Sequence, residues 1–114
     1  MTAMEVAAAL GVDPVTAAKR IVGCDSVIET DRIVAMREGR TCHVAVRCRG
    51  LGGRAVLREC RETLQAWLNV EPVLVAPVRH ENVRALRLVE ALGFRRYSET
   101  PQHIWLAIER RFLK

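Results

Sequence analysis

Eight consecutive residues, Arg47-Cys48-Arg49-Gly50-Leu51-Gly52-Gly53-Arg54, bring three glycines and three arginines into one short stretch. It falls between a β-rich run, Thr41 to Val46 (TCHVAV), and a helical pattern. Glycines let a backbone approach a ligand closely, and the unpaired amides at a helix N-terminus point toward an anion. A pyrophosphate suits that geometry, with arginines adding charge at the same place. The spacing is neither GxxxxGK[ST] nor GxGxxG, so it supports neither a P-loop nor a Rossmann site. A glycine-rich turn carrying solvated arginines accounts for the same residues without a ligand.

Other residues offer acid–base or metal chemistry. His43 is the best candidate base, because an unperturbed imidazole titrates near neutrality; a strand-surface histidine is the plainer explanation. Glu29 is a second candidate base and reads equally well as a solvated hairpin carboxylate. His80 and His103 carry no pattern. Cys42, His43, Cys48 and Cys60 have ligand chemistry for zinc but lack the paired-ligand spacing of a zinc knuckle, so no metal is expected. Cys48 stands between two arginines that favour its thiolate. Cys42 and His43 are strand neighbours facing opposite sides, which excludes them as a nucleophile–base pair.

The elements that must position these groups follow from periodicity and end signals. Thr2 and Glu5 have capping-box spacing ahead of Met4, Ala7, Ala8 and Leu10, and Gly11 stops that helix. Asp13-Pro14 opens a second helix, with Val15, Ala18, Ile21 and Val22 as its apolar positions up to Gly23. Val27-Ile28, Ile33 to Met36 and Thr41 to Val46 read as successive antiparallel strands. Val56, Leu57, Cys60, Leu64, Trp67 and Leu68 mark one face of a helix of about four turns. Pro72 to Pro77 is a continuous apolar run, as in a central strand buried on both faces. Asn82 caps a helix through Val83, Leu86, Val89 and Leu92 that Gly93 ends. Arg95 to Ser98 and His103 to Ile108 are two final strands about a turn at Thr100-Pro101. The order α-α-β-β-β-α-β-α-β-β implies a mixed sheet covered by helices, in a single domain over residues 1–114.

Two motifs in this frame resemble the signatures of the GNAT superfamily of acyl-CoA-dependent N-acyltransferases. Arg47-x-x-Gly50-x-Gly52 is similar to [QR]xxG-x-[GA]. Asn82-x-x-Ala85-x-x-Leu88, followed by Gly93-Phe94, is similar to NxxAxxLYxxxGF. The resemblance covers about Ser26 to Arg110. It implies an α/β (α+β) fold: a mixed, mostly antiparallel sheet with a V-shaped splay between the strand before the glycine loop and the strand Val73 to Ala76, and helices on both faces. It further implies acetyl-CoA as cosubstrate. The pantetheine would lie in the splay and the pyrophosphate on the loop, with contacts at Val44, Val46, Arg49, Gly50, Gly52, Gly53, Arg54 and Asn82. Transfer of the acetyl group to an amine would proceed by direct attack, with His43 or water taking the proton.

The chain departs from the pattern in two respects. The tyrosine of NxxAxxLYxxxGF, the family's usual general acid, is Val89 here, and valine cannot donate a proton. Tyr97, the only tyrosine, is the substitute the sequence offers; a tyrosine on a sheet more often keeps its hydroxyl at the surface. The strand that opens many members is absent or reduced to Met1-Thr2. This compact layout resembles small GNAT-like proteins encoded among the structural genes of tailed phages, which implies a non-catalytic virion or assembly component as the alternative function.

Composition bounds these readings. Half of the 114 residues are apolar and 27% are charged, which excludes wholesale disorder. Aromatics are only 4%, so recognition by stacking is not the expectation and the core is aliphatic. No apolar stretch has the length of a membrane span, and the N-terminus lacks a signal-peptide layout, so the expected setting is cytoplasmic, or the virion for a phage component. Eighteen basic against 13 acidic residues give +5, a surplus that fits nucleic acid, an acidic protein or a phosphate-bearing cofactor alike. Glu5 to Val12, with Thr16 and Ile21, also has the outline of a DNA-binding helix-turn-helix, but Pro14 to Ile21 offers only Thr16, Lys19 and Arg20 as polar readers and no third helix follows. Trp67 completes a core stripe. Trp105 lies in a final strand whose two faces are both apolar, which calls for an oligomer or a partner chain to cover one of them.

Overall fold

The computed structural model describes Ala7, residues 12–46 and residues 53–114. Of the first expected helix only Ala7 is among them, buried and helical. The loop residues 47–52 lie outside the described set. From residue 12 onward the chain runs α1 (Pro14–Gly23), β1 (Ser26–Glu29), β2 (Ile33–Glu38), β3 (Thr41–Val46), α2 (Gly53–Leu68), β4 (Val73–Arg79), α3 (Val83–Leu92), β5 (Arg95–Glu99), β6 (His103–Glu109) and a final 3-10 turn, Arg110–Phe112.

Local signals account for the ends of these elements. Asp13 caps α1, accepting from the Thr16 amide at 2.9 Å and its hydroxyl at 2.6 Å, and Pro14 supplies a first helical residue that has no N–H to satisfy. The β2–β3 hairpin turns at Gly39, whose φ of +57° is left-handed. Its amide donates to Asp25 at 2.6 Å and its carbonyl accepts from Arg37 at 3.0 Å. Asn82 caps α3 through the Ala85 amide at 3.2 Å, and Gly93 ends it in the left-handed region.

The six strands form one sheet in the order β1-β2-β3-β4-β6-β5. Every pairing is antiparallel except β3 with β4, which α2 connects as a crossover. The mixed, mostly antiparallel α/β sheet expected from the sequence is present. β6 lies between β4 and β5, so any contact it makes with another chain is through its face and not through an edge.

Strand alternation divides the core between the two faces. Ile33, Ala35 and Cys42 join Leu74, Ala76, Val78, Ile104, Leu106 and Ile108 beneath α2 and α3. On the opposite face Val34, Met36 and Ala45 pack with Ala7, Val12 and Ile21 beside α1. Helices therefore cover both sides. Trp67 is buried in the first cluster and donates its indole N–H to Ser26 at 3.1 Å.

Two expectations need correction. β4 is central, yet only Leu74, Ala76 and Val78 are buried, while the alternate residues Val73, Val75 and Pro77 are half-buried. Among the described residues, helical cover on the α1 side packs on β2 and β3. In α1, Ile21 packs on the sheet but Val15 and Val22 are 65% and 86% exposed. Val22 lies about 100° further round the helix than Ile21, on the side turned away from the sheet. From α1 the chain passes directly into β1, and its apolar face is used against the sheet rather than in a trihelical core.

Candidate functional site

Among the described residues β3 and β4 pair at Thr41–Val75 alone, where the Val75 amide donates to the Arg40 carbonyl at 2.7 Å. β4 and β6, by contrast, stay in register from Val73–Glu109 to Arg79–His103. Beyond Thr41 the two parallel strands part, and the backbone groups of β3 on that side lose their ladder partners. Unpaired backbone N–H and C=O groups need a partner from elsewhere. The opening is a cleft of about 450 Å³ that runs through the sheet from one face to the other.

Its two sides differ chemically. On the α2/α3 face the lining is Cys42, Val44, Ala76 and Val78 from the strands, with Asn82, Ala85 and Val89 from α3. This side is apolar apart from the Asn82 amide and a thiol. On the α1 face Met36, Glu38 and His43 stand across from Pro77 and Arg79, with His103 and Trp105 behind them on β6. Carboxylate, imidazole and guanidinium groups in the cleft are thus confined to that side.

Because β3 and β4 are parallel, α2 and α3 both begin at the end where the strands separate. Asn82 lines the cleft there with its Oδ1 engaged in the cap. Gly53 and the exposed Arg54 form the start of α2, and a side chain at Gly53 would meet nothing within 4 Å. Val46, exposed at the end of β3, lies next to this opening. Arg49, Gly50 and Gly52, which the motif names as cofactor contacts, lie outside the described residues.

Of the residues with candidate catalytic roles, His43 lines the cleft. Val89, at the motif's tyrosine position, also lines it and is 8% exposed. Tyr97 is 58% exposed on β5, at the register shift between Arg96 and Ser98, and is not among the described cleft-lining residues. Glu29 is exposed at the end of β1, the far edge strand. Burial pushes the Cys42 thiol up to about 12 and, with the Glu59 charge adding to it, the Cys60 thiol up to about 11. Both are therefore inert as nucleophiles near neutrality. No group of three His, Cys, Asp or Glu among the described residues could hold a metal ion, and no described helix is long and apolar enough to cross a membrane.

Glu38, Arg79, His103 and Trp105 are cleft residues that sequence reasoning did not select. Glu38 reads as a hairpin carboxylate, and nothing local reveals that β4 and β6 face it across a gap. His103 opens the last strand and carries no pattern of its own. Its orientation follows from the β4–β6 register, which places it opposite Arg79.

Comparison with solved structures places this architecture. The N-acetyltransferase PseH of Campylobacter jejuni, solved in complex with acetyl coenzyme A, superposes with a TM-score of 0.61 at 15% identity, covering 85% of this chain and 77% of its own. The ribosomal-protein-S18-alanine N-acetyltransferase of Escherichia coli superposes with a TM-score of 0.57 at 18% identity, covering 94% of this chain and 86% of its own. No family model and no curated protein sequence matches the chain. The chain shares its overall fold with these acetyltransferases, and that fold is the GNAT fold.

Proposed function

We propose that the protein is an acyl-CoA-dependent N-acetyltransferase that transfers an acetyl group from acetyl-CoA to an amine. The observation that carries this reading is the parting of β3 from β4 after Thr41–Val75, which leaves backbone donors and acceptors along an apolar cleft. A pantetheine arm fits that lining, because its amides can take the open rungs of β3 at Val44 and Val46 while its methylenes lie against Val44, Ala76 and Val78. The pyrophosphate belongs at the start of α2, on the amides of Gly50, Gly52 and Gly53 with Arg49 and Arg54 beside them, and Asn82 guards the same end. Support comes from the shared fold of a protein solved with acetyl coenzyme A.

Acetyl-CoA supplies an activated thioester. His43, on the cleft's ionisable side, takes the proton that the amine nitrogen loses as it attacks the carbonyl carbon. Open amides on β3 polarise the carbonyl oxygen. Val89 has no proton for the departing thiolate, and the Tyr97 hydroxyl lies on the edge strand away from the described cleft lining, which leaves that role to solvent. The same valine favours the second reading, an assembly component that keeps the fold without turnover. Calorimetric titration of acetyl-CoA at near-physiological salt, followed by a thiol-release assay with primary amines, separates the two. One-site binding with release of coenzyme A is the expected result; no binding overturns the proposal.

A further inference from the structure

The cleft is polarised along its length. Glu38 lies at the closed end, paired with Thr41 across the β2–β3 hairpin and next to the Thr41–Val75 rung. Arg79 and His103 lie at the open end, opposite each other across β4 and β6. Val75 and Arg79 are four residues apart on one strand, which sets the two ends about 13 Å apart. Trp105, opposite Pro77, falls between them on the same face.

Glu38 is the one carboxylate among the described cleft-lining residues, and its side chain takes no hydrogen bond or ion pair among the described residues. The guanidinium groups of its neighbours in sequence, Arg37 and Arg40, are engaged by other carboxylates. Arg37 is held between Asp25 at 3.8 Å, Glu71 at 3.9 Å and the Gly39 carbonyl, and Arg40 lies 3.7 Å from Glu71. Glu38 is exposed at the rim of the cleft, so its carboxylate, without a cation among the described residues, is open to an incoming positive charge.

We infer that Glu38 binds the ammonium group of the acceptor, and that the acceptor is a cationic primary amine entering from the α1 face. This rests on the acyl-CoA reading above. A primary amine reaches a protein as its ammonium at neutral pH, with an ordinary value near 10.4 for a lysine-type amine. Glu38 draws that ion to the closed end, and the Trp105 ring face offers a second favourable surface for it. The Arg79 guanidinium repels it from the open end, which is left to the phosphate-bearing partner. Glu38 is thus a positioning and selectivity residue: the bound ammonium gives up one proton to solvent water to free its lone pair, and His43 takes the second as the C–N bond forms and the thiolate departs.

The test needs no identified acceptor. Coenzyme A alkylated on sulfur with ω-aminoalkyl chains of two to six methylenes is titrated against the S-propyl and S-carboxymethyl analogues, using wild-type protein and the variants Glu38→Gln and Glu38→Asp. An aminoalkyl analogue is expected to bind about tenfold more tightly than S-propyl coenzyme A, with the carboxymethyl analogue weakest. The preference should vanish in Glu38→Gln and return in part in Glu38→Asp, while unmodified coenzyme A binds all three proteins alike. Equal binding of the amino and propyl analogues, or a preference that survives Glu38→Gln, overturns the inference and leaves the acyl-CoA reading intact. Failure of coenzyme A and every analogue to bind wild-type protein overturns both.

Discussion

Gly93 lies so close beneath the carbonyl of Phe112 that any side chain at position 93 would drive its Cβ well inside van der Waals contact with that oxygen. The same residue ends α3 with φ at +113°, and the Phe94 amide returns to the Val89 carbonyl at 3.1 Å. Arg95 stacks over the Phe112 ring at 3.8 Å and the Lys114 amide reaches the Leu92 carbonyl at 3.1 Å, so the C-terminal turn is pinned to the end of α3. Gly93→Ala combines backbone strain with a steric clash and is expected to destabilise the fold by about 2–4 kcal/mol. A drop in the urea midpoint at unchanged slope measures it.

Asn82 separates a structural from a binding role. Asn82→Ala removes the cap on the Ala85 amide and should lower stability by about 1 kcal/mol. Asn82→Asp keeps the cap and adds negative charge at the open end of the cleft. Thermal unfolding of the aspartate variant should match wild type while its affinity for acetyl-CoA falls; equal affinities for the two proteins would remove Asn82 from the site.

Gly53 offers a cleaner probe of the start of α2. A methyl group there meets nothing within 4 Å among the described residues, and alanine is the better helix former. Gly53→Ala is therefore expected to be as stable as wild type or slightly more so. A loss of acetyl-CoA affinity in that variant at unchanged stability would locate the ligand against this residue, since no described residue lies where the methyl group would go.

The thiols give a pH dependence whose sign is fixed. Cys42 and Cys60 are raised from 9.0 to about 12 and about 11 by burial, so the folded state holds their protons where the unfolded chain releases them. Their contribution to stability is complete below pH 9 and is lost progressively as pH rises toward 11 to 12. Denaturation midpoints should fall between pH 9 and 11. Replacing Cys60 by alanine leaves a cavity but should flatten the part of that slope which belongs to its proton. At pH 8 an aromatic disulfide reagent should label these two thiols only as fast as the protein unfolds.

The sequence was most informative where the chain's own chemistry sets an outcome. Asp13-Pro14, Asn82 and Gly93 mark helix ends because a side-chain oxygen or a left-handed φ is needed at those places, and each does so here. The α2 stripe from Val56 to Leu68 is buried as its spacing demands. What could not be read locally are the relationships across space. Pro72 to Pro77 is apolar throughout, yet Val73, Val75 and Pro77 are only half-buried. Nothing in β5 or β6 states that the last strand inserts between β4 and β5, an arrangement that depends on which seams the earlier elements leave open. Glu38 and His103 acquire their significance only from a gap, and a gap has no residues of its own to carry a pattern.

The single rung at Thr41–Val75 bears on how the molecule assembles. Strands β1 to β3 come from the contiguous stretch Ser26–Val46, and β4 to β6 from Val73–Glu109. Pairing within Ser26–Val46, and of β5 with β6, closes short loops, whereas the β4–β6 pairs span α3 and β5, and the rung between the halves joins residues more than thirty apart and brings little backbone bonding in return. Chain-closure entropy thus favours early formation of the β1–β2–β3 meander, later closure of the β4–β6–β5 half over its longer connection, and docking of the two through α2 and its buried face last. Slow hydrogen exchange within each half, with early loss of protection at the Val75 amide, is the pattern such a molecule would display.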